Sequence, residues 1–291
     1  MKPAAFDYIR PDDLDAALAA LAELGGDAKL LAGGQSLMPL LNFRMLRPRC
    51  LIDINRLSAL DHVTEDAGGL RIGALTRHHV LETSAAVAAR FPVLAEAMRH
   101  VAHLAIRNRG TIGGSLCHAD PAAELPMMAL LLDAEIELRT HDGARRIAAQ
   151  DFFVGPLATA LGETEMATEI RLPALPPRAG WGFEEFALRA GDFAFAAAAA
   201  LVTVADGRIA DARLALMGVD DTPVRLRDTE RALAGQSFSS ALAADVGAQA
   251  RAAVHPNSDL RASADYRRHL VAALTERALT RAWQRAHQAA A

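Results

Sequence analysis

Apolar residues recur every three to four positions through residues 11–24, where Leu14, Ala17, Leu18 and Leu21 share one face. This spacing predicts a helix that Pro11 opens and Gly25-Gly26 stops. A short apolar run over residues 29–32 predicts a strand. Residues 37–45 predict a helix, with Pro39 tolerated in its first turn. Two more apolar runs, residues 50–54 and 70–74, read as strands. Thr76 is placed to cap a helix over residues 77–83, and residues 92–104 form another. Asp120-Pro121 reads as the N-cap and first-turn pair of a helix carrying Glu124, which Pro126 either breaks or restarts. Residues 134–139 and 145–148 flank Asp142-Gly143, a hairpin signal.

The pattern changes after Pro173, Pro176, Pro177 and Gly180, which mark a linker. Two apolar runs follow, residues 193–205 and 208–217, joined by the hairpin dipeptide Asp206-Gly207. The alanine run within residues 194–200 reads as a tightly packed strand. Helical patterns then cover residues 229–233, 239–253 and 265–288. The reading is therefore α+β throughout, with two domains meeting near residue 177 and no repeat of fixed period.

Composition removes several classes of function. The chain has 291 residues, 52% hydrophobic, enough for two cored domains. A net charge of −4 and only 5% aromatics give no nucleic-acid footprint. Cys50 and Cys117 cannot build a disulfide framework, nor hold an iron–sulfur cluster alone. No run has the length of a signal peptide core or a membrane span, so a soluble cytoplasmic protein is the expectation.

Chemistry concentrates in two glycine loops, Ala32-Gly33-Gly34-Gln35-Ser36 and Thr111-Ile112-Gly113-Gly114-Ser115. Glycine lets backbone N–H groups approach an anion, and successive amides form an anion nest. The order strand, glycine turn, helix also aims a helix N-terminus at the first loop. Neither loop is a P-loop, because Lys and Ser/Thr do not follow the last glycine. Neither carries the G-x-G-x-x-G spacing of a dinucleotide fold. A phosphate-bearing ligand held from two sides and a pair of structural turns both remain open at this point.

The motifs Leu31-Ala32-Gly33-Gly34-Gln35-Ser36-Leu37, Ile106-Arg107-Asn108-Arg109-Gly110-Thr111-Ile112-Gly113-Gly114-Ser115 and His118-Ala119-Asp120-Pro121 together resemble one family. It is the FAD-binding medium subunit of molybdenum hydroxylases, the carbon monoxide dehydrogenase medium chain and xanthine dehydrogenase FAD-subunit family. Asp151-Phe152-Phe153-Val154-Gly155-Pro156, Arg189-Ala190-Gly191-Asp192-Phe193-Ala194 and the stretch from Arg261 to Arg268 extend the likeness over nearly the whole chain.

The resemblance implies a vanillyl-alcohol-oxidase-like (PCMH-type) FAD domain over residues 1–176, with subdomains of about 1–57 and 58–176. A C-terminal domain over residues 177–291 would add a three-stranded antiparallel sheet plus helices. By matching positions, the amides of Ala32, Gly33, Gly34, Gln35 and Ser36 would hold the FAD pyrophosphate. Thr111, Gly113, Gly114 and Ser115 would grip it from the other side, with Leu31, Leu37, Ile112, Cys117 and Asp120 in the same segments. Lys29 and Leu30 would approach the adenosine half, and Glu124 its ribose, where a carboxylate accepts from two hydroxyls. Asp192 and Phe193 would lie near the isoalloxazine ring.

Two positions depart from the related xanthine oxidoreductases. Val101 stands where they stack an aromatic on adenine, and Phe193, Ala194 and Phe195 stand where they use a lysine.

The implied role is electron transfer. A large molybdenum-cofactor subunit oxidises the substrate, a small subunit carries electrons over two [2Fe–2S] clusters, and FAD on this chain passes them to an external acceptor. The implied assembly is a dimer of heterotrimers. No residue of this chain is then a substrate-handling catalyst, and none holds a metal. The alternatives are a non-catalytic assembly protein of the same fold, or a free-standing flavin oxidase. Four intact loop glycines speak against loss of the flavin, and no His or Tyr near Asp192 offers a substrate base.

Other polar residues have plainer readings. Cys117 reads as a small buried hydrophobe and His100 with His103 as surface or helix-end residues, while Arg107 and Arg109 either neutralise phosphate or are solvated.

Overall fold

Among residues 2–290, described by a computed structural model, the strands gather into three sheets and a small hairpin. The first sheet is parallel, with β1 (Asp7–Ile9), β2 (Ala28–Leu31) and β3 (Cys50–Asp53) in the order β1-β3-β2. The helix Leu14–Leu24 packs on it through Ala17, Leu18 and Leu21, and Asp13 caps that helix by accepting from the Ala16 amide.

The second sheet is antiparallel in the order β4-β5-β10-β6-β7. Its strands are β4 (Val63–Asp66), β5 (Gly69–Gly73), β6 (Glu135–Arg139), β7 (Ala144–Ala148) and β10 (Met166–Pro173). The hairpin of β8 (Phe153–Gly155) and β9 (Ala158–Thr159) stands apart from it. Phe91, Leu94, Met98, Leu116 and Met127 from the intervening helices join Ile136 and Ile170 of the sheet in the main core.

The third sheet runs β11 (Gly180–Phe186), β12 (Ala196–Ala205), β13 (Arg208–Met217) and β14 (Val224–Arg225), all antiparallel. Three long strands match the expectation, and the two-residue β14 adds a fourth. The turn between β12 and β13 has positive φ at Asp206 (50°) and Gly207 (71°), the backbone that Asp-Gly favours in a tight hairpin.

The alanine run has a packing reason. In β12, Ala197, Ala199 and Leu201 face the main core, while Ala196, Ala198, Ala200 and Val202 face a second core. Successive side chains point to opposite faces, so the strand is buried on both. The second core lies under the helices Arg227–Leu233, Ser240–Ala252 and Ala264–Ala290. The last of these approaches β11 so closely that a Cβ on Gly182 would lie 2.0 Å from the Ala278 carbonyl oxygen.

Three expectations needed correction. The Pro-rich linker is short: β10 is the central strand of its sheet and ends at Pro173, and β11 begins at Gly180. The helix expected over residues 92–104 divides into Pro92–Met98 and Leu104–Arg107, because Ala102 takes φ 42° between them. Asp120 does not cap its helix. Its side chain accepts from Ala122 N at 2.9 Å, Ala123 occupies the cap, and Pro126 falls in the first turn, where no helical N–H is lost. Among the described residues, no helix is long and apolar enough to cross a membrane.

Candidate functional site

The first glycine loop meets the connector that enters the second. A Cβ on Gly33 would lie 2.2 Å from the Arg109 carbonyl oxygen and 2.9 Å from the Gly110 Cα. The end of β2 and the connector before the helix Ile112–His118 therefore form one composite site.

The first loop has the expected order of strand, glycine turn and helix, although the helix is only Leu37–Asn42. At six residues its dipole contributes little, so the loop amides matter more. Among the described residues, the amides of Ala32, Gly33, Gly34, Gln35 and Ser36 have no protein acceptor. The carbonyls of this loop are the groups the protein engages. Leu31 O and Ala32 O accept from Asn55 Nδ2 at 3.2 and 2.7 Å, and Gly33 O accepts from Gln35 Nε2 at 2.9 Å. Gly34 takes φ 73°, which suits glycine. Lys29 is exposed on β2, and Leu30, Leu31 and Leu37 are half-buried.

The second loop is built differently. Its amides are held inside the protein: Ile112 N donates to Thr76 O at 3.0 Å and Gly113 N to Ala74 O at 2.9 Å. Gly114 N donates to Thr111 Oγ1 at 3.1 Å, and Ser115 N to Thr111 O at 3.0 Å. A second amide nest is therefore absent. What this loop leaves available is the Ser115 hydroxyl, the Thr111 N–H and the open side of Gly114.

These contacts also correct the expectation drawn from intact glycines. A Cβ on Gly113 would lie 2.6 Å from Ala74 Cβ, and one on Gly33 would strike Arg109. The fold itself demands glycine at both positions, with or without a ligand.

His78 supports the second loop from below. Its Nε2 lies 3.0 Å from Thr111 O, which places the proton on Nε2, since a carbonyl only accepts. Burial pulls its pKa to about 4, so the ring stays neutral. Thr76 is buried and donates to His62 O, so Arg77, not Thr76, precedes the helix His78–Thr83. Arg107 is engaged by both Glu82 oxygens at 2.9 and 3.1 Å and by the carbonyls of Val101 and Ala102, which removes it as a phosphate ligand. The Arg109 side chain is exposed.

The remaining expected residues lie around this centre. Val101 packs into the main core and presents little surface to a ring. Burial pushes the Cys117 thiol up to about 12, so it is no nucleophile. Asp192 and Phe193 sit in the loop after β11, whose Gly191 closes on the Ala102 carbonyl and the His103 ring. Phe193 is 61% exposed, and its carbonyl accepts from Arg261.

Glu124 opens the helix Glu124–Leu131, buried, and burial with the Asp120 charge raises it to about 7. Glu185 on β11 is raised to about 8 by burial and by the Glu124 charge. Its Oε1 is 3.8 Å from His100 Nδ1, and its Oε2 is buried without a partner. Among the described residues, no cluster of His, Cys, Asp or Glu could hold a metal.

Sequence reasoning missed Asn55, Arg77, His78 and Glu185. Asp53-Ile54-Asn55 carries a local turn signal, with Asn55 N donating to Asp53 Oδ1 at 2.9 Å. Nothing in the sequence announces that Asn55 reaches back to Ala32.

Comparison with known proteins follows the same division of the chain. A family model described as the FAD binding domain in molybdopterin dehydrogenase matches residues 4–175. One described as the CO dehydrogenase flavoprotein C-terminal domain matches residues 181–282. The chain is 42% identical to the 6-hydroxypseudooxynicotine dehydrogenase complex subunit alpha of Paenarthrobacter nicotinovorans, over 98% of this chain and 97% of that one. It is 43% identical to the caffeine dehydrogenase subunit beta of Pseudomonas sp. (strain CBB1), over 98% and 97%. Its fold matches a chain of the Hydrogenophaga pseudoflava carbon monoxide dehydrogenase structure with a TM-score of 0.95 at 38% identity, covering 98% of this chain and 99% of that one.

Proposed function

The chain belongs to the family of FAD-binding medium subunits of molybdenum hydroxylase complexes, and we propose that within such a complex it relays electrons through FAD from an iron–sulfur subunit to an external acceptor. It is an oxidoreductase subunit with FAD as its cofactor. Bound FAD supplies a centre that accepts electrons singly and releases them singly or in pairs.

The residues fit that group. The observation that carries the reading is the row of five unpaired amides at Ala32–Ser36, pressed at Gly33 against the connector that enters the second loop. These amides would donate to the pyrophosphate, as an anion nest does. Ser115 would donate its hydroxyl and Thr111 its N–H from the opposite side. Glu124 would accept from ribose hydroxyls. Asp192 and Phe193 would border the ring system. Adenine would not stack on Val101, which is held in the core.

The chain's own part is to bind, orient and shield the cofactor. Substrate oxidation would belong to a large molybdenum-cofactor partner and electron delivery to a small [2Fe–2S] partner, assembled as a dimer of heterotrimers. The substrate is fixed elsewhere, as the names of its relatives illustrate: an alkaloid derivative, caffeine and carbon monoxide.

Purification of the tagged chain from its own cells tests the assembly. The expected eluate carries FAD, molybdenum and four irons per FAD, roughly, as two clusters require. A flavin-bearing chain that elutes without iron or molybdenum would overturn the relay.

A further inference from the structure

Asn55 and Arg77 belong to none of the motifs that mark the glycine loops, yet together they tie the loops to each other. Asn55 Nδ2 donates to Leu31 O, Ala32 O and Asp53 Oδ1 at 3.2, 2.7 and 2.7 Å. Asn55 Oδ1 accepts from Arg77 Nη2 at 2.8 Å. Arg77 Nη1 donates to Arg109 O, the same carbonyl that abuts Gly33. A continuous polar strut therefore runs from the first loop, through Asn55 and Arg77, to the connector before the second.

We propose that Asn55 and Arg77 are positioning residues for the nucleotide pyrophosphate, fixing both the separation of the two loops and the direction of the first-loop amides. A trans peptide is planar, with its C=O and the following N–H on opposite sides. Holding Leu31 O and Ala32 O toward Asn55 turns the N–H groups of Ala32 and Gly33 the other way. Those are amides without a protein acceptor. Gln35 does the same for Gly34 by holding Gly33 O.

Arg77 is half-buried between the loops, beside Arg109; among the described residues its hydrogen-bond partners are neutral, a carbonyl and an amide, and the Asp53 and Asp61 carboxylates offset part of its charge without bonding to it. A guanidinium remains charged at any working pH. An anion seated on the amides above would meet both the amide dipoles and this charge. The inference rests on the FAD reading for the identity of that anion.

The test uses the full chain with Arg77→Met, Asn55→Ala, the double variant and Arg77→Lys. Each single variant is expected to weaken FAD binding by about tenfold to a hundredfold, as loss of hydrogen bonds to a charged group does. The double variant should be little weaker than the worse single, because both break one strut. Arg77→Lys should recover part of the affinity, and the flavin-free chains should melt within a few degrees of each other.

FAD affinities within about twofold of the unaltered chain in both singles would overturn the proposal. So would losses that track a fall in the melting temperature with no recovery in Arg77→Lys, which mark a general structural tie. If the unaltered chain itself ignores FAD, the flavin reading falls, and amide exchange in the flavin-free chain decides the strut separately. Faster exchange at Ile54, His78 and Ile112 in Arg77→Met, with the Ala264–Ala290 helix unchanged, supports it. Unchanged exchange at those amides overturns it.

Discussion

Gly33→Ala is expected to strip FAD from the chain, with affinity falling more than about a hundredfold. The added Cβ would sit 2.2 Å from Arg109 O and 2.9 Å from both Arg109 C and Gly110 Cα. All three are backbone atoms, so no rotamer change relieves the clash. The loops must part, at the cost of about 1–3 kcal/mol or more that overpacking carries. The melting temperature of the flavin-free chain should fall with it.

Gly114 provides the contrast. A Cβ there meets only Thr111 Oγ1, at 2.8 Å, and otherwise faces open space. Gly114→Val should therefore leave the chain folded, losing about 1 kcal/mol with the Thr111 cap, yet block a ligand from the second loop. Equilibrium titration with FAD, beside thermal unfolding of both variants, separates the two effects. A Gly114→Val chain that keeps its flavin would remove the second loop from the site.

Glu185→Gln is expected to raise the melting temperature near about pH 8 by about 5 °C and to change little near about pH 5. The sign follows from two buried carboxyls, Glu124 at the start of its helix and Glu185 on β11, whose charges oppose each other. Burial raises Glu124 to about 7 and Glu185 to about 8, from an ordinary 4.5. In that window the native chain holds protons that the unfolded chain has released. The stabilisation is complete below the unfolded value and is lost as pH rises through the folded ones.

At about 1.4 kcal/mol per unit of displacement, the pair is worth on the order of a few kcal/mol. His100 provides no relief, because burial pulls its own pKa down and holds it neutral. A permanently neutral amide in place of Glu185 removes the charge that builds at high pH. Melting curves across this range check the point. A variant whose midpoint falls in parallel with the unaltered chain would contradict it.

The parts of the fold that were legible in the sequence are those that local chemistry decides. Asp206-Gly207 marked its hairpin because positive φ has few residues to choose from, and Asp142-Gly143 marked the β6–β7 hairpin as a polar turn without positive φ. The leucines of the first helix and the β2–glycine–helix order were equally plain. Elements that tertiary contacts decide were not. β10 is central because β5 and β6 flank it, and its proline-marked end hid that. Gly180 read as linker chemistry, yet it is glycine because a helix lies against it, as one does at Gly182.

The site divided along the same line. Ala32–Ser36 could be read as an amide-bearing turn from its own residues. The second loop looked equivalent, but the Ile112 and Gly113 amides are taken by Thr76 and Ala74, more than thirty positions earlier by the chain's numbering, and those of Gly114 and Ser115 by Thr111. Arg77 and Glu185 carried no signal, and Asn55 only that of its local turn, because each acts on a partner remote in sequence.

The most direct measurement is a titration of FAD into the flavin-free full chain, followed by flavin fluorescence and repeated with ADP as competitor. The account predicts saturation at a single FAD per chain, competition by ADP, and loss of both in Gly33→Ala. A chain that folds but shows no saturable FAD binding, or binds FAD equally well with Gly33 replaced, would contradict it.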